Sequence, residues 1–198
     1  MPTVFTHPAV ALAVNPWFRD LRRRPSILAV GAVLTVLPDL DVIGFFYGIP
    51  YGHVLGHRGL SHSLPFAFAF SAVIAIGAAR LARVKFAPLW LYFGVCLASH
   101  GLLDACTNGG SGVAFFAPFS DERFFFPVRP IDVSPIGVDA FMTNRGVTVL
   151  MSELIWVWSP SAVLLVFAAW ARVRPSGGNK NGGASRRFRR MTSILRSF

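Results

Sequence analysis

Charged residues are scarce in this 198-residue chain. They make up 14% of it, whereas hydrophobic residues make up 54% and the mean hydropathy is +0.54. Ordinary soluble domains carry about 25% charged residues, so the composition excludes that class and indicates a membrane protein. Long polar linkers are also missing before residue 174. The sequence therefore predicts one helical membrane domain, residues 1–174, followed by a flexible basic tail, residues 175–198.

Two further absences narrow the class of protein. No basic residue precedes Arg19, so we do not expect a cleaved secretory signal. Only two cysteines are present, and ten residues of one predicted helix separate Cys96 from Cys106, about 15 Å by helical rise, which excludes a disulfide. The formal charge of +10 would suit nucleic acid, but basic residues beside apolar runs more often report membrane orientation. We therefore expect membrane lipids as partners and no nucleic acid.

Five apolar stretches organise the chain. Three approach the roughly 20 residues that a spanning helix needs, namely residues 63–82, 87–106 and 154–173. Residues 4–18 and 26–38 are shorter, and the second stretch stops near Pro38. Residues 107–153 are rich in Gly, Pro and Phe, which predicts an ordered loop at the membrane interface. The fold class predicted is all-α, a polytopic helical membrane protein with three long spans, two short apolar helices and an ordered interfacial loop.

Basic residues set the predicted orientation. Of the 19 Lys and Arg residues, four lie in residues 19–24, three in 80–85 and eight in 172–196. The positive-inside rule places these segments, and with them the C-terminus, on the cytoplasmic side of the membrane. The basic tail is then expected to contact anionic lipid headgroups. Alternate threading puts nearly every His and acid at the opposite face of the membrane.

Seven possible metal ligands reach that face from four separate segments: His7, Asp39, Asp41, His57, His62, His100 and Asp104. Ionisable groups at membrane depth are costly unless they are paired, hydrated or bound to metal. Metal binding is the strongest explanation for such clustering. Imidazole and carboxylate ligands suit zinc best and also manganese or iron. We therefore expect one or two divalent ions.

Each ligand pair also has a simpler interpretation. His100 and Asp104 are spaced i, i+4 on one helix face, where they can share an ion or merely hydrogen-bond each other. Asp39 and Asp41 follow a proline at a helix end, where they can share a site or form an acidic helix end among the headgroups. Neither spacing alone decides between these alternatives.

The segment around Arg58 contributes two histidines. His57 and His62 converge only if His57 precedes a helix cap, for which Ser61 is the candidate. Arg58 would repel a metal ion but attract a phosphate, which makes it a candidate anion clamp. The alternative is that Arg58 pairs with one of the three aspartates. His53 has no predicted role.

Four motifs together resemble a known family: THPAVAL around His7, LPDLD ending at Asp41, GHRGLSHS from Gly56, and ASHGLLDACTNGG around His100. They are similar to the bacterial YdjM-like membrane-bound metal-dependent hydrolases, and PFSDERFFFPVRPIDVSP resembles that family's loop. The resemblance covers most of residues 1–140. It implies a polytopic inner-membrane protein with an unassigned hydrolase activity.

A more distant resemblance is to the helical zinc phospholipase C and P1 nuclease group, which cleaves phosphoesters at a multi-zinc site. This chain lacks a second His-x-x-x-Glu, and Met1-Pro2 stands in place of that group's amino-terminal Trp ligand. A complete three-zinc site is therefore not expected.

The predicted function is metal-dependent hydrolysis of an ester or phosphoester, lipid-like substrate at the periplasmic face. Asp41 would be a ligand or the general base, Arg58 the anion clamp, and the Phe-rich loop a surface for an acyl region. Two alternatives stay open. One is a metal or proton transporter, although residues 64–79 and 155–171 contain no ionisable side chain. The other is a non-catalytic membrane scaffold whose polar cluster fixes helix packing.

Overall fold

The computed structural model of the chain describes residues 1–135 and 138–173. These residues form seven α-helices and no β-strand, which confirms the predicted all-α class. The helices are α1 His7–Val14, α2 Pro25–Val36, α3 Leu64–Ala82, α4 Phe86–Ala105, α5 Val138–Phe141, α6 Asn144–Glu153 and α7 Ser159–Val173.

The chain divides into two units. The first, Met1–Ala168, holds nearly all of the described structure. The second is Ala169–Phe198, of which the described part is the end of α7. The tail predicted at residues 175–198 lies outside the described residues.

Four helical segments are long and apolar enough to cross a membrane: Pro25–Tyr47, Leu64–Ala82, Phe86–Ala105 and Asn144–Arg172. Three of them contain the predicted long spans. The fourth arises because the chain stays helical after α2, which ends at Val36, near Pro38 as predicted. It continues as a 3₁₀ helix, Leu37–Tyr47, with Pro38 in its first turn, a position that tolerates the missing N–H. Gly48, with a positive φ of 71°, ends it.

The last span also begins earlier than predicted. Thr143 caps α6 by accepting a hydrogen bond from the Arg145 N–H at 3.2 Å. A π-helical turn, Leu154–Trp158, then joins α6 to α7. The C-terminal part of the predicted loop, residues 144–153, is therefore helical.

Helix α4 is the centre of the bundle and packs against α1, α2 and α3. Its apolar half forms the core with Leu89, Tyr92, Phe93 and Leu97. At its other end the ordered loop crosses α4, since the Phe126 N–H donates to the Ala105 carbonyl at 3.0 Å. Bridges between Thr107 and Ile131 and between Val113 and Phe124 hold this loop. The ordered loop therefore covers the polar end of α4, and the two bridges hold the loop in place.

Candidate metal centre

The four histidine rings predicted as ligands form one chain of contacts. The His57 and His62 ring centroids are 5.4 Å apart, and those of His62 and His100 are 4.6 Å apart. The His7 ring stacks on His100 at 3.9 Å with an interplanar angle of 13°. The carboxylates of Asp39, Asp41 and Asp104 contact these rings. The structure therefore brings all seven predicted side chains into one cluster.

Helix α4 approaches the turn that carries His62 because a glycine follows His100. A Cβ built on Gly101 would lie 2.5 Å from the His62 carbonyl oxygen, which no real side chain tolerates. The glycine therefore lets His100 and Asp104, on one face of α4, reach the 3₁₀ turn Leu60–His62.

The helix after this turn is capped by Ser63, so the prediction that Ser61 caps it is wrong. Ser63 Oγ accepts from the Phe66 N–H at 3.2 Å, and Pro65 occupies the first turn. Ser61 instead donates its hydroxyl to Asp41 Oδ2 at 2.7 Å. The hydroxyl expected to hold a helix end therefore holds a carboxylate of the cluster.

Asp39, His62, His100 and Asp104 form an entirely buried group, and each offers one ligand atom within 4.8 Å of the others. His100 Nε2 lies 3.2 Å from Asp39 Oδ1, and His62 Nε2 lies 3.5 Å from Asp104 Oδ2. Bonds of about 2 Å to a tetrahedral zinc would separate neighbouring ligand atoms by roughly 3.3 Å. The spacing and the donor set fit one such ion.

Several ligand atoms of this four-residue group have no hydrogen-bond partner among the described residues. They are Asp39 Oδ2, His62 Nε2 and both carboxylate oxygens of Asp104. A buried polar atom without a partner costs about 1–3 kcal/mol, and a charged one costs more. A cation at the centre of the group would satisfy these atoms together, so the residues fit a metal ion.

Asp41 is satisfied where Asp39 is not. Its Oδ1 lies 2.7 Å from His57 Nδ1, and its Oδ2 lies 3.0 Å from His62 Nδ1. The backbone N–H of Arg58 and the Ser61 hydroxyl also donate to Oδ2. An outer carboxylate that accepts from one imidazole nitrogen orients the other nitrogen toward a metal. Asp41 therefore has the geometry of a support for His62.

His100 is oriented in the same way by a backbone group. Its Nδ1 lies 2.7 Å from the Thr35 carbonyl oxygen, which can only accept, so Nδ1 donates to this carbonyl and Nε2 points to Asp39. Sequence reasoning missed Thr35, because a carbonyl contact leaves no trace in residue type.

Arg58 is buried and points inward. Its Nε lies 2.9 Å from Asp104 Oδ2, although not in hydrogen-bonding alignment, and its terminal nitrogens donate to the Gly109 carbonyl and Thr107 Oγ1. The alternative interpretation of Arg58 was that it pairs with an aspartate, and its ion pair with Asp104 agrees with that interpretation. The role of anion clamp stays a prediction, and the inward-facing geometry does not favour it.

His7 lies against His100 but outside the four-residue group, and neither of its ring nitrogens has a partner among the described residues. The segment before it is anchored by Glu153 of α6, whose carboxylate accepts from the Thr3 backbone N–H and from the hydroxyls of Thr3 and Thr6. Sequence reasoning missed Glu153, although a single acid directly before an apolar run was a visible signal.

The charges of the cluster leave a deficit. Three carboxylates and the Arg58 guanidinium carry a formal charge of −2, which one divalent ion would balance. Burial by itself lowers the pKa of His62, but the neighbouring carboxylates of Asp104 and Asp41 raise it to about 9. In the metal-free cluster a proton on His62 therefore supplies part of the missing positive charge.

Comparison with known proteins agrees with the motifs. The family model described as YdjM inner membrane protein matches residues 1–175. The chain is 42% identical over 172 residues to the inner membrane protein YbcI of Escherichia coli (strain K12), an alignment that covers 87% of this chain and 99% of that protein. No solved structure matches. The comparisons do not extend to the phospholipase C and P1 nuclease group, so that resemblance stays a prediction. The chain belongs to the YdjM family of inner membrane proteins.

Proposed function

We propose that the four-residue group Asp39, His62, His100 and Asp104 binds one divalent cation, with zinc as the best fit to two imidazoles and two carboxylates. The observation that carries this proposal is the set of unpartnered ligand atoms inside a buried group. A second possible group of ligands consists of Asp41, His57 and His62. One ion suffices, because it balances the charge and because Asp41 already accepts hydrogen bonds from His57, the Arg58 N–H and the Ser61 hydroxyl.

The chemistry proposed is hydrolysis of an ester or phosphoester. When bound, the ion supplies a Lewis acid that polarises the substrate's oxygen and acidifies water toward a pKa of about 7. Asp41 keeps the imidazoles of His57 and His62 in place. His7 is poorly suited to take up a proton from the attacking water, because burial lowers the pKa of its imidazole well below the ordinary value.

The substrate proposed is a lipid. The site is proposed to lie at the periplasmic face, because the distribution of basic residues predicts this orientation. His62 lies just before the span Leu64–Ala82 and Asp104 lies at the end of the span Phe86–Ala105, which supports a site near the depth of lipid headgroups, whereas Asp39 lies eight residues inside the span Pro25–Tyr47. On the same orientation the C-terminus is cytoplasmic, and the basic residues of the tail attract anionic lipid.

A second candidate is a non-catalytic metal site that fixes helix packing. The nearly complete burial of the cluster favours it, since His62, His100 and Asp104 are at most 2% exposed. A transporter is favoured less, because the described parts of α3 and of residues 155–171 have no ionisable side chain before the basic helix ends.

Metal analysis of the detergent-purified protein, followed by a screen of phosphoesters and lipid esters, tests the proposal. His100→Ala should lose metal and hydrolysis together, because it deletes a ligand. Arg58→Ala separates two roles. Retained metal with lost activity would support an anion clamp, whereas metal loss equal to that of His100→Ala would make Arg58 the structural partner of Asp104. Bound metal without hydrolysis of any substrate would favour the scaffold.

A further inference from the structure

An apolar groove of about 380 Å³ lies beside the cluster. It is formed by Pro8 of α1, by three residues of α2 and by two residues of the following 3₁₀ helix, namely Ala32, Val33, Val36, Leu37 and Leu40. Its volume falls within the about 300–1,000 Å³ of small-molecule sites. No charged or polar side chain lines it, so whatever fills it contributes hydrocarbon rather than a headgroup.

Residues that line the groove are neighbours in sequence of residues in the cluster. Pro8 directly follows His7, while Leu37 and Leu40 stand on either side of Asp39. Asp39 is also the most exposed member of the four-residue group, at 8%, whereas His62 and His100 are at most 2% exposed. The part of the group that is closest to the surface is therefore on the segment that forms the groove.

The position of the groove identifies its occupant. All but one of its lining residues belong to Pro25–Tyr47, a helix that can span the membrane, so the groove faces hydrocarbon. We infer that it holds the hydrocarbon chain of a lipid whose anionic phosphate head lies at Asp39 and the bound ion. This rests on the proposed function and deepens it, because it assigns the chain-binding surface to α1 and α2 rather than to the Phe-rich loop.

A photoreactive probe tests the inference without requiring turnover. The probe is a long-chain alkyl phosphonate, which is not hydrolysed, carrying a diazirine at the end of the chain. It is added to zinc-loaded protein in detergent, and labelled residues are identified by mass spectrometry. Labelling of residues 32–40 should be saturable, should require zinc, and should be competed poorly by methylphosphonate, which has a head but no chain.

A matched pair of variants tests where the hydrocarbon chain of the probe binds. Val33→Trp fills the groove from a residue that is 62% exposed, and Val73→Trp places the same side chain on α3 at a residue that is 66% exposed. Val33→Trp should weaken probe binding about tenfold, because it displaces about two methylene groups. Val73→Trp should leave probe binding unchanged, and both variants should keep their zinc.

The outcomes separate this inference from the proposed function. Zinc-loaded Val33→Trp that binds the probe as well as the parent protein would overturn the groove assignment while leaving the metal site intact. Labelling that is equal with and without zinc would show surrounding lipid only and would also overturn it. A parent protein that takes up no zinc would contradict the metal site and the inference together.

Discussion

Asp39 and Asp41 are two residues apart, yet the cluster uses them differently. Asp41 accepts hydrogen bonds from the His57 imidazole, a backbone N–H and a hydroxyl, and its Oδ2 lies 3.0 Å from His62 Nδ1. Asp39 meets His100 with one oxygen and leaves the other without a partner among the described residues. A carboxylate that is already satisfied orients its neighbours, whereas one that is buried and unsatisfied lacks a cation. By this difference Asp41 is a support for the ligands and Asp39 is a ligand.

The largest expected effect comes from a ligand that keeps its shape but loses its charge. Asp104→Asn should reduce zinc affinity by more than the about 10–100-fold typical of an outer-shell change, because it removes a direct bond. Competition with a zinc chelator measures this affinity. Asp121→Asn, at an exposed residue, is the control and should bind zinc normally. Equal affinity in both variants would remove Asp104 from the site.

The same substitution at Asp41 should have a smaller effect. Asp41→Asn should weaken zinc binding by about 10–100-fold while preserving the number of ions bound, because the amide still contacts His57 and His62 but orients them poorly. The chelator competition used for Asp104→Asn measures it. A loss as severe as that of Asp104→Asn would make Asp41 a ligand, one of the two roles predicted from the sequence.

Proton competition gives the next effect. In the metal-free cluster His62 has its pKa raised from 6.5 to about 9, so zinc must displace a proton below that pH. Apparent zinc affinity should rise about tenfold per pH unit between pH 6.5 and 9. The metal-free protein should show the opposite trend, since stability from the raised pKa is present below pH 6.5 and is lost as pH rises to 9. Thermal unfolding at several pH values, with and without zinc, measures both pH dependences. Zinc affinity and metal-free stability that change with pH in the same direction would contradict the assignment of His62.

The smallest expected effect is at the anchor of the N-terminal segment. Glu153→Gln should lower stability by about 1.5–3 kcal/mol, because it weakens hydrogen bonds from Thr3 and Thr6 to a charged acceptor. Zinc affinity should change by less than about tenfold, since His7 lies outside the four-residue group. Glu122→Gln, at an exposed residue, is the control. A complete loss of zinc would place His7 among the ligands.

Much of the fold followed from the length and apolar character of its segments. The spans that became α3 and α4 were predicted to within one residue at each end, because Ser63 caps one helix and polar residues limit both. Helix α2 ends at Val36, near Pro38 as predicted, but the 3₁₀ helix that follows was not predicted, because its first turn contains the proline that was expected to end the helical segment. The helix Asn144–Glu153 was missed because its polar residues separate it from the apolar run that begins at residue 154, although it contains neither Pro nor Phe.

The residues of the candidate site could be predicted, but the role of each one, as metal ligand or as support for a ligand, could not. Ligand-type residues at one face of a membrane protein identified His62, His100, Asp39 and Asp104 without any coordinates. The sequence cannot tell which nitrogen of His100 carries the proton, because that depends on the Thr35 carbonyl. The inward direction of Arg58 was equally hidden, since it follows from a left-handed backbone with φ of 62° and from the Gly109 carbonyl.

X-ray absorption at the zinc edge of the purified, zinc-loaded protein tests the central claim most directly. The account predicts about one ion per chain with nitrogen and oxygen neighbours only, at about 2.0–2.2 Å, including the outer-shell scattering of two imidazoles. His100→Ala should remove one imidazole from this signal or the ion itself. Sulfur neighbours at about 2.3 Å, the distance typical of cysteine, or a protein that holds no zinc, would contradict the account.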